Sequence, residues 1–210
     1  MVARKKRELP AFDPAESGRF ACRVLEEAGV PGALIGRLAI WAWVPEESEH
    51  PLTKDMDIAV ARENMPFIRD WLARHGLRTR ELPIGGINVF YPDLHINIDF
   101  IERSSPLYGD LSALFSKAIK AAYKLGEIVN AGGADLLVVP PEHLVAMKLA
   151  TGDDDDEEDA GRVLENVDVD VEQIRLLLRE HVGIGSLGRF ENILRRIGHF
   201  AARPKRKYED

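Results

Sequence analysis

The sequence predicts an α+β fold, a small mixed sheet with flanking helices followed by a helical second half. Three observations lead there. Between residues 53 and 101 several short segments alternate apolar and polar residues with period two. From about residue 109 the apolar residues recur with a helical period. Helix-start patterns are also well formed, as in Asp13-Pro14 with Glu16.

Composition sets the outer limits. The chain has 210 residues, of which 45% are hydrophobic and 30% charged. Those values exclude a wholly disordered chain and a disulfide scaffold, and the length allows a proper core in one large domain or a domain with an appendage. The single Cys22 excludes an intramolecular disulfide and suits a reducing cytoplasm. No apolar run approaches the ~20 residues of a membrane span, and no apolar stretch of signal-peptide type follows the basic start MVARKKRELP. The net charge of −7 argues against a globally basic nucleic-acid binder. The charge is uneven, however. Arg4 to Arg7 and a cluster from Arg195 to Lys207 are basic, and Asp153 to Asp159 is an unbroken acidic run. Six consecutive carboxylates cannot be buried unpaired, so residues 153–158 are expected to form an exposed, mobile loop merging into a helix.

In chain order, residues 1–12 read as a basic arm. Asp13 and Pro14 open a helix that Gly29 closes. Ala33-Leu34-Ile35 is a short strand broken by Gly36, and RLAIWAWV reads either as a further strand or as a helix after a glycine turn. TKDMDIAV is a strand, with Met56, Ile58 and Val60 on one face and Asp55 and Asp57 on the other. Residues 63–75 are an amphipathic helix. LRTREL, INVFY and HINIDFI follow as strands with turns at Pro83 to Gly86 and at Pro92-Asp93. Helices are then expected over 110–123, 141–150, 157–166, 170–181 and 187–201, which makes the second half all-helical. The organisation is thus an arm (1–12), an α/β core (13–108), a helical part (109–203) and a tail (204–210).

The chemistry rests on carboxylates. Asp55 and Asp57 lie two apart on a strand whose other face is apolar, so both project together. Asp99 stands on a second strand with the same division of faces. If the strands are neighbours, three carboxylates converge, and each pair ~4 Å apart repels by about 4 kcal/mol at an effective dielectric near 20. A divalent ion removes that cost, and oxygen ligands of this kind suit Mg²⁺ or Mn²⁺ with substrate phosphates. The alternative is that these aspartates end strands or pair with surface lysines. The six histidines show no pair at metal-ligand spacing, which argues against zinc.

A strand, a Gly36 turn and a helix, then Thr53-Lys54-Asp55-Met56-Asp57-Ile58 and a later Asp99, resemble the nucleotidyltransferase superfold of the polymerase-beta type. VVPPEHLVAMKLAT followed by DxxDAGRVLEN resembles the AbiEii-type toxin nucleotidyltransferases and their uncharacterised relatives. The resemblance covers roughly residues 20–180. It implies that Gly36 is the turn glycine that approaches a nucleoside triphosphate, with Arg37 and Thr53 beside it. It implies that Asp55 and Asp57 are the metal pair and Asp99 the third carboxylate, with Lys148 the helix lysine on the triphosphate. Asp156 and Asp159 match the acidic pair that opens the following helix. Arg37 stands where the family shows Gly or Ser, and Pro51 where it shows a basic residue. The function implied is metal-dependent transfer of a nucleoside monophosphate to an RNA or protein acceptor, as in toxin–antitoxin systems with a cognate antitoxin-like partner and no membrane. The alternatives are a silent module of the same fold acting through protein contacts, and a metal-dependent phosphohydrolase.

Overall fold

The structure, a computed structural model, describes residues 12–198 except 45, 47–49 and 106. The expectations for the arm before Phe12, the tail and most of the basic C-terminal cluster lie outside the described residues.

Helix α1, Pro14–Ala28, is capped as its sequence requires. The Asp13 carboxylate accepts from the amides of Ala15 and Glu16, and Gly29 closes it in the left-handed conformation. Strand β1, Gly32–Ile35, runs directly into α2, Gly36–Trp43, which settles RLAIWAWV as helix. Gly36 has φ +67, and this turn stops the strand before its β-branched and aromatic residues could extend it. Strand β2 is Met56–Val60 and α3 is Met65–Arg74. Strands β3, Thr79–Glu81, β4, Gly86–Tyr91, and β5, Ile96–Ile101, complete a five-stranded sheet in the order β1-β2-β5-β4-β3. Among the described strands of this sheet, β2 and β5 pair in parallel and the other neighbours antiparallel. Ile58, Ile87, Val89, Ile98 and Phe100 are fully buried on one face of this sheet.

Helices α4, Ser112–Leu125, α5, Pro141–Leu149, α6, Asp154–Asn166, α7, Val171–Leu177, and α8, Ile184–Arg196, follow. A π turn over Leu178–Val182 joins the last two. The second half is not all-helical, however. Strands β6, Ile128–Ala131, and β7, Ala134–Leu137, form a hairpin between α4 and α5. Gly132 and Gly133, both with positive φ, make the two-residue turn that such hairpins need. Each strand has only four residues, too short for an alternation to register. The pairing is completed by tertiary contact. A Cβ on Gly18 of α1 would fall 2.5 Å from Ala131 Cβ, and Leu34 of β1 bridges to Val138. No helix among the described residues is long and apolar enough to cross a membrane.

The acidic run also differs from expectation. It is helical from Asp154, and Asp153 caps it by accepting from the Asp155 amide. Acids in a first turn suit the helix dipole, and cations meet several of them. Arg37 reaches Asp155, Lys148 reaches Asp156, Arg189 reaches Glu157 and Arg162 reaches Glu158. The run stays largely exposed, as expected, but it begins a helix rather than forming a loop.

His143 on α5 is buried, and neither ring nitrogen has a hydrogen-bond partner among the described residues. Burial, then the charges of Lys117 and His181, push its pKa down to about 4. The unfolded chain takes that proton near pH 6.5, whereas the folded chain refuses it until near 4. Stability should therefore fall as pH drops through this window, by about 3 kcal/mol at 1.36 kcal/mol per unit. Urea unfolding of His143→Leu between pH 4 and 7 should lack this loss, and an unchanged pH slope would refute it.

Candidate active site

The site is built on one transverse row of the sheet. Asp57 on β2 pairs with Asp99 on the parallel β5, Asp99 with Asn88 on β4, and Asn88 with Arg80 on β3. On the other side Asp57 pairs with Ile35, and Gly36 follows immediately. Neighbouring strands lie ~4.8 Å apart, so the side chains of this row are close neighbours on the face opposite Ile58 and Phe100.

Asp55 stands just before β2. The Thr53 hydroxyl donates to the Asp55 carbonyl at 3.0 Å and lies 3.3 Å from its carboxylate, which holds the turn into the strand. Asp57 keeps some exposed surface, but its carboxyl packs on the Gly36 backbone. A Cβ at Gly36 would sit 2.0 Å from Asp57 Oδ2, so only glycine permits this approach. Burial, then Asp55 and Asp99, raise the Asp57 pKa to about 8 against the pull of Lys148. Burial also raises Asp99, offset in part by a 2.6 Å hydrogen bond from Asn88 Nδ2 to Asp99 Oδ1.

Thus Gly36, Thr53, Asp55, Asp57 and Asp99 are brought together. Among the described residues no three His, Cys, Asp or Glu side chains stand as a ready ligand set. The carboxylates are neighbours in register rather than an assembled cage. They nevertheless fit a hard divalent cation in kind. The donors are all oxygens and they repel one another.

Lys148 and Arg37 are placed differently. Lys148 Nζ donates to Asp156 at 2.6 Å and Asp159 at 2.8 Å. Burial pulls the Lys148 pKa down, but those two carboxylates outweigh it and hold the ammonium above its ordinary range. Arg37 donates through Nε to Asp159, and its other nitrogens reach Asp155 and the Leu52 carbonyl. The Lys148 charge still bears on Asp57, so the lysine lies at the edge of the carboxylate group.

Asn88, Arg80 and the Lys54 side chain were not singled out from sequence. Asn88 is buried between Ile87 and Val89 and donates to both Asp99 and Asn97. A lone amide inside an apolar strand was the available signal.

No protein-family model matches the chain, and no curated protein matches it. Solved structures do. One is the solution structure of the antibiotic-resistance factor ANT(2'')-Ia, with TM-score 0.51 and 12% identity, covering 88% of this chain and 97% of that one. Another is the crystal structure of an antigenic nucleotidyltransferase-like protein from Paracoccidioides brasiliensis, with TM-score 0.47 and 11% identity, covering 88% of this chain and 90% of that one. The chain shares its fold with the ANT(2'')-Ia structure.

The Asp57 environment carries its own prediction. A carboxyl whose pKa is raised on folding costs stability once pH climbs toward that pKa, because the unfolded chain ionises near 3.8. Without divalent ions at pH 8, Asp57→Asn should therefore be more stable than the parent by about 2 kcal/mol or more. Saturating Mg²⁺ should raise the melting temperature of the parent and not of the variant. Equal melting curves for the two proteins, with and without Mg²⁺, would show that the carboxylates neither repel nor bind.

Proposed function

We propose that the chain is a metal-dependent nucleotidyltransferase that moves a nucleoside monophosphate from a triphosphate to an acceptor hydroxyl on RNA or protein. The observation that carries this is the register of Asp57 with Asp99, with Asp55 beside them and Gly36 against Asp57. Asp55 and Asp57 would hold Mg²⁺ or Mn²⁺, with Asp99 completing the site. When bound, such an ion supplies charge neutralisation and alignment of the triphosphate. Asp99, held by Asn88, is set to accept the proton of the acceptor hydroxyl. Gly36 lets the start of α2 approach the phosphates closely. Lys148, and Arg37 with Thr53 at the turn, would steady them. The resemblance at PEHLVAMKLA further supports an AbiEii-like, toxin–antitoxin role in the cytoplasm with a cognate antitoxin-like protein.

One observation favours a second reading, a silent module of the same fold acting through protein contacts. Both cations assigned to the triphosphate are already held by α6 carboxylates. Calorimetry with each of the four triphosphates in Mg²⁺ separates the readings. Binding at or below the millimolar range, with label passing to an acceptor in RNA or lysate protein, is expected of the enzyme. Absence of binding by all four would leave the silent module. Lys148→Ala should weaken triphosphate binding more than it slows transfer.

A further inference from the structure

Beside the carboxylates lies a cleft of about 270 Å³, whose lining includes Lys54, Asp55, Arg80, Asn88, Phe90 and Asp99. We propose that this cleft is the acceptor subsite and that it takes an acceptor carrying a phosphate next to its reacting hydroxyl, a nucleotide or the end of an RNA strand. The inference rests on the transferase reading above.

The sheet register supports the placement. Arg80, Asn88 and Asp99 occupy one row across β3, β4 and β5, so Arg80 stands two strands, about 10 Å, from Asp99. A hydroxyl at Asp99 thus leaves its neighbouring phosphate on the Arg80 side. Arg37, Arg162, Arg175 and Arg189 are each paired with carboxylates. The Arg80 and Lys54 side chains form no hydrogen bond or ion pair among the described residues, and both are exposed. Their charges are felt at Asp99 all the same. Two uncommitted cations at the mouth of a carboxylate cleft suit an anionic acceptor and oppose a cationic one. Phe90 lies two residues from Asn88 on the same strand face and is 42% exposed, which offers a ring for a base to stack on.

The reaction balances without further reagents. The acceptor oxygen bonds to the α-phosphorus of the triphosphate, the bond from that phosphorus to the bridging oxygen breaks, and pyrophosphate leaves with the electron pair. The hydroxyl proton passes to the Asp99 carboxylate and then to solvent.

The test uses the full chain and two dye-labelled probes, adenosine monophosphate and an RNA trinucleotide, read by fluorescence anisotropy with and without Mg²⁺. Binding of at least one is expected, with Arg80→Ala weakening it ~10-fold or more and Arg80→Lys by less. Loss of one phosphate contact should also flatten the salt dependence of trinucleotide binding by about 0.7 in log–log slope. Preference for the trinucleotide identifies an RNA end, and equal binding identifies a free nucleotide. Absence of binding by either probe at millimolar concentration overturns the inference, however the triphosphates behave. So does label transfer to serine or tyrosine peptides that is indifferent to Arg80→Ala. Probe binding that depends on Arg80, in a protein that binds no triphosphate, upholds the phosphate cleft and refutes the transferase reading.

Discussion

Asp55→Ala is expected to lose at least ~100-fold in transfer rate. The carboxylate lies beside Asp57 at the start of β2, where the Thr53 hydroxyl steadies it, and the role proposed for it is that of a metal ligand. Removing a metal ligand removes stabilisation of charge that develops on the transferred phosphoryl group, typically several kcal/mol. Each 1.36 kcal/mol is tenfold, so two such steps already exceed the noise of a labelled-triphosphate assay. The loss should fall on the rate of label transfer at saturating triphosphate. The fold should survive, because Asp55 is partly exposed and its removal relieves repulsion at Asp57. Equal transfer by Asp55→Ala and the parent would mean a contaminating activity and a wrong site assignment.

Asp159→Ala is expected to destabilise the protein by about 3 kcal/mol. The Asp159 side chain is 1% exposed and is shared by three cations, Arg37 of α2, Lys148 of α5 and Arg162 of its own helix. Its removal leaves buried positive charge partly uncompensated, and this is the costly way to break such a group. The loss is tempered because Lys148 keeps Asp156, Arg37 keeps Asp155 and Arg162 keeps Glu158. Urea unfolding should show a lower midpoint with an unchanged m-value. A shift below about 0.5 kcal/mol would mean that the three cations find other partners and that the cluster does not hold the helical half to α2.

Much of the core was legible before any coordinates. The alternation of Met56, Ile58 and Val60 with Asp55 and Asp57, and of Ile96, Ile98 and Phe100 with Asn97 and Asp99, already separated a packed face from a polar one. Capping was equally local. Asp13 and Asp170 each cap the start of their helix with their own carboxylate, which needs nothing from the rest of the chain. The hairpin over 128–137 was not legible, because two four-residue strands gain their stability from α1 and β1 rather than from their own pattern. The helical start at Asp154 was not legible either, because the cations that meet it come from α2, α5 and α8.

By itself the sequence determined most of the strands and helices of the first half, though not whether residues 37–44 are strand or helix, and it determined which face of the strands around Asp57 and Asp99 is apolar. Those properties depend on neighbours one to four positions away. Tertiary structure alone decided that β2 and β5 pair in parallel with Asp57 opposite Asp99. It also set Asn88 and Arg80 in the same row and turned Lys148 and Arg37 toward Asp159. Strand order and ion-pair partners join residues far apart in the chain. They are chosen by which arrangement buries the most apolar surface while leaving every charge with a partner or with water, and no local pattern carries that comparison.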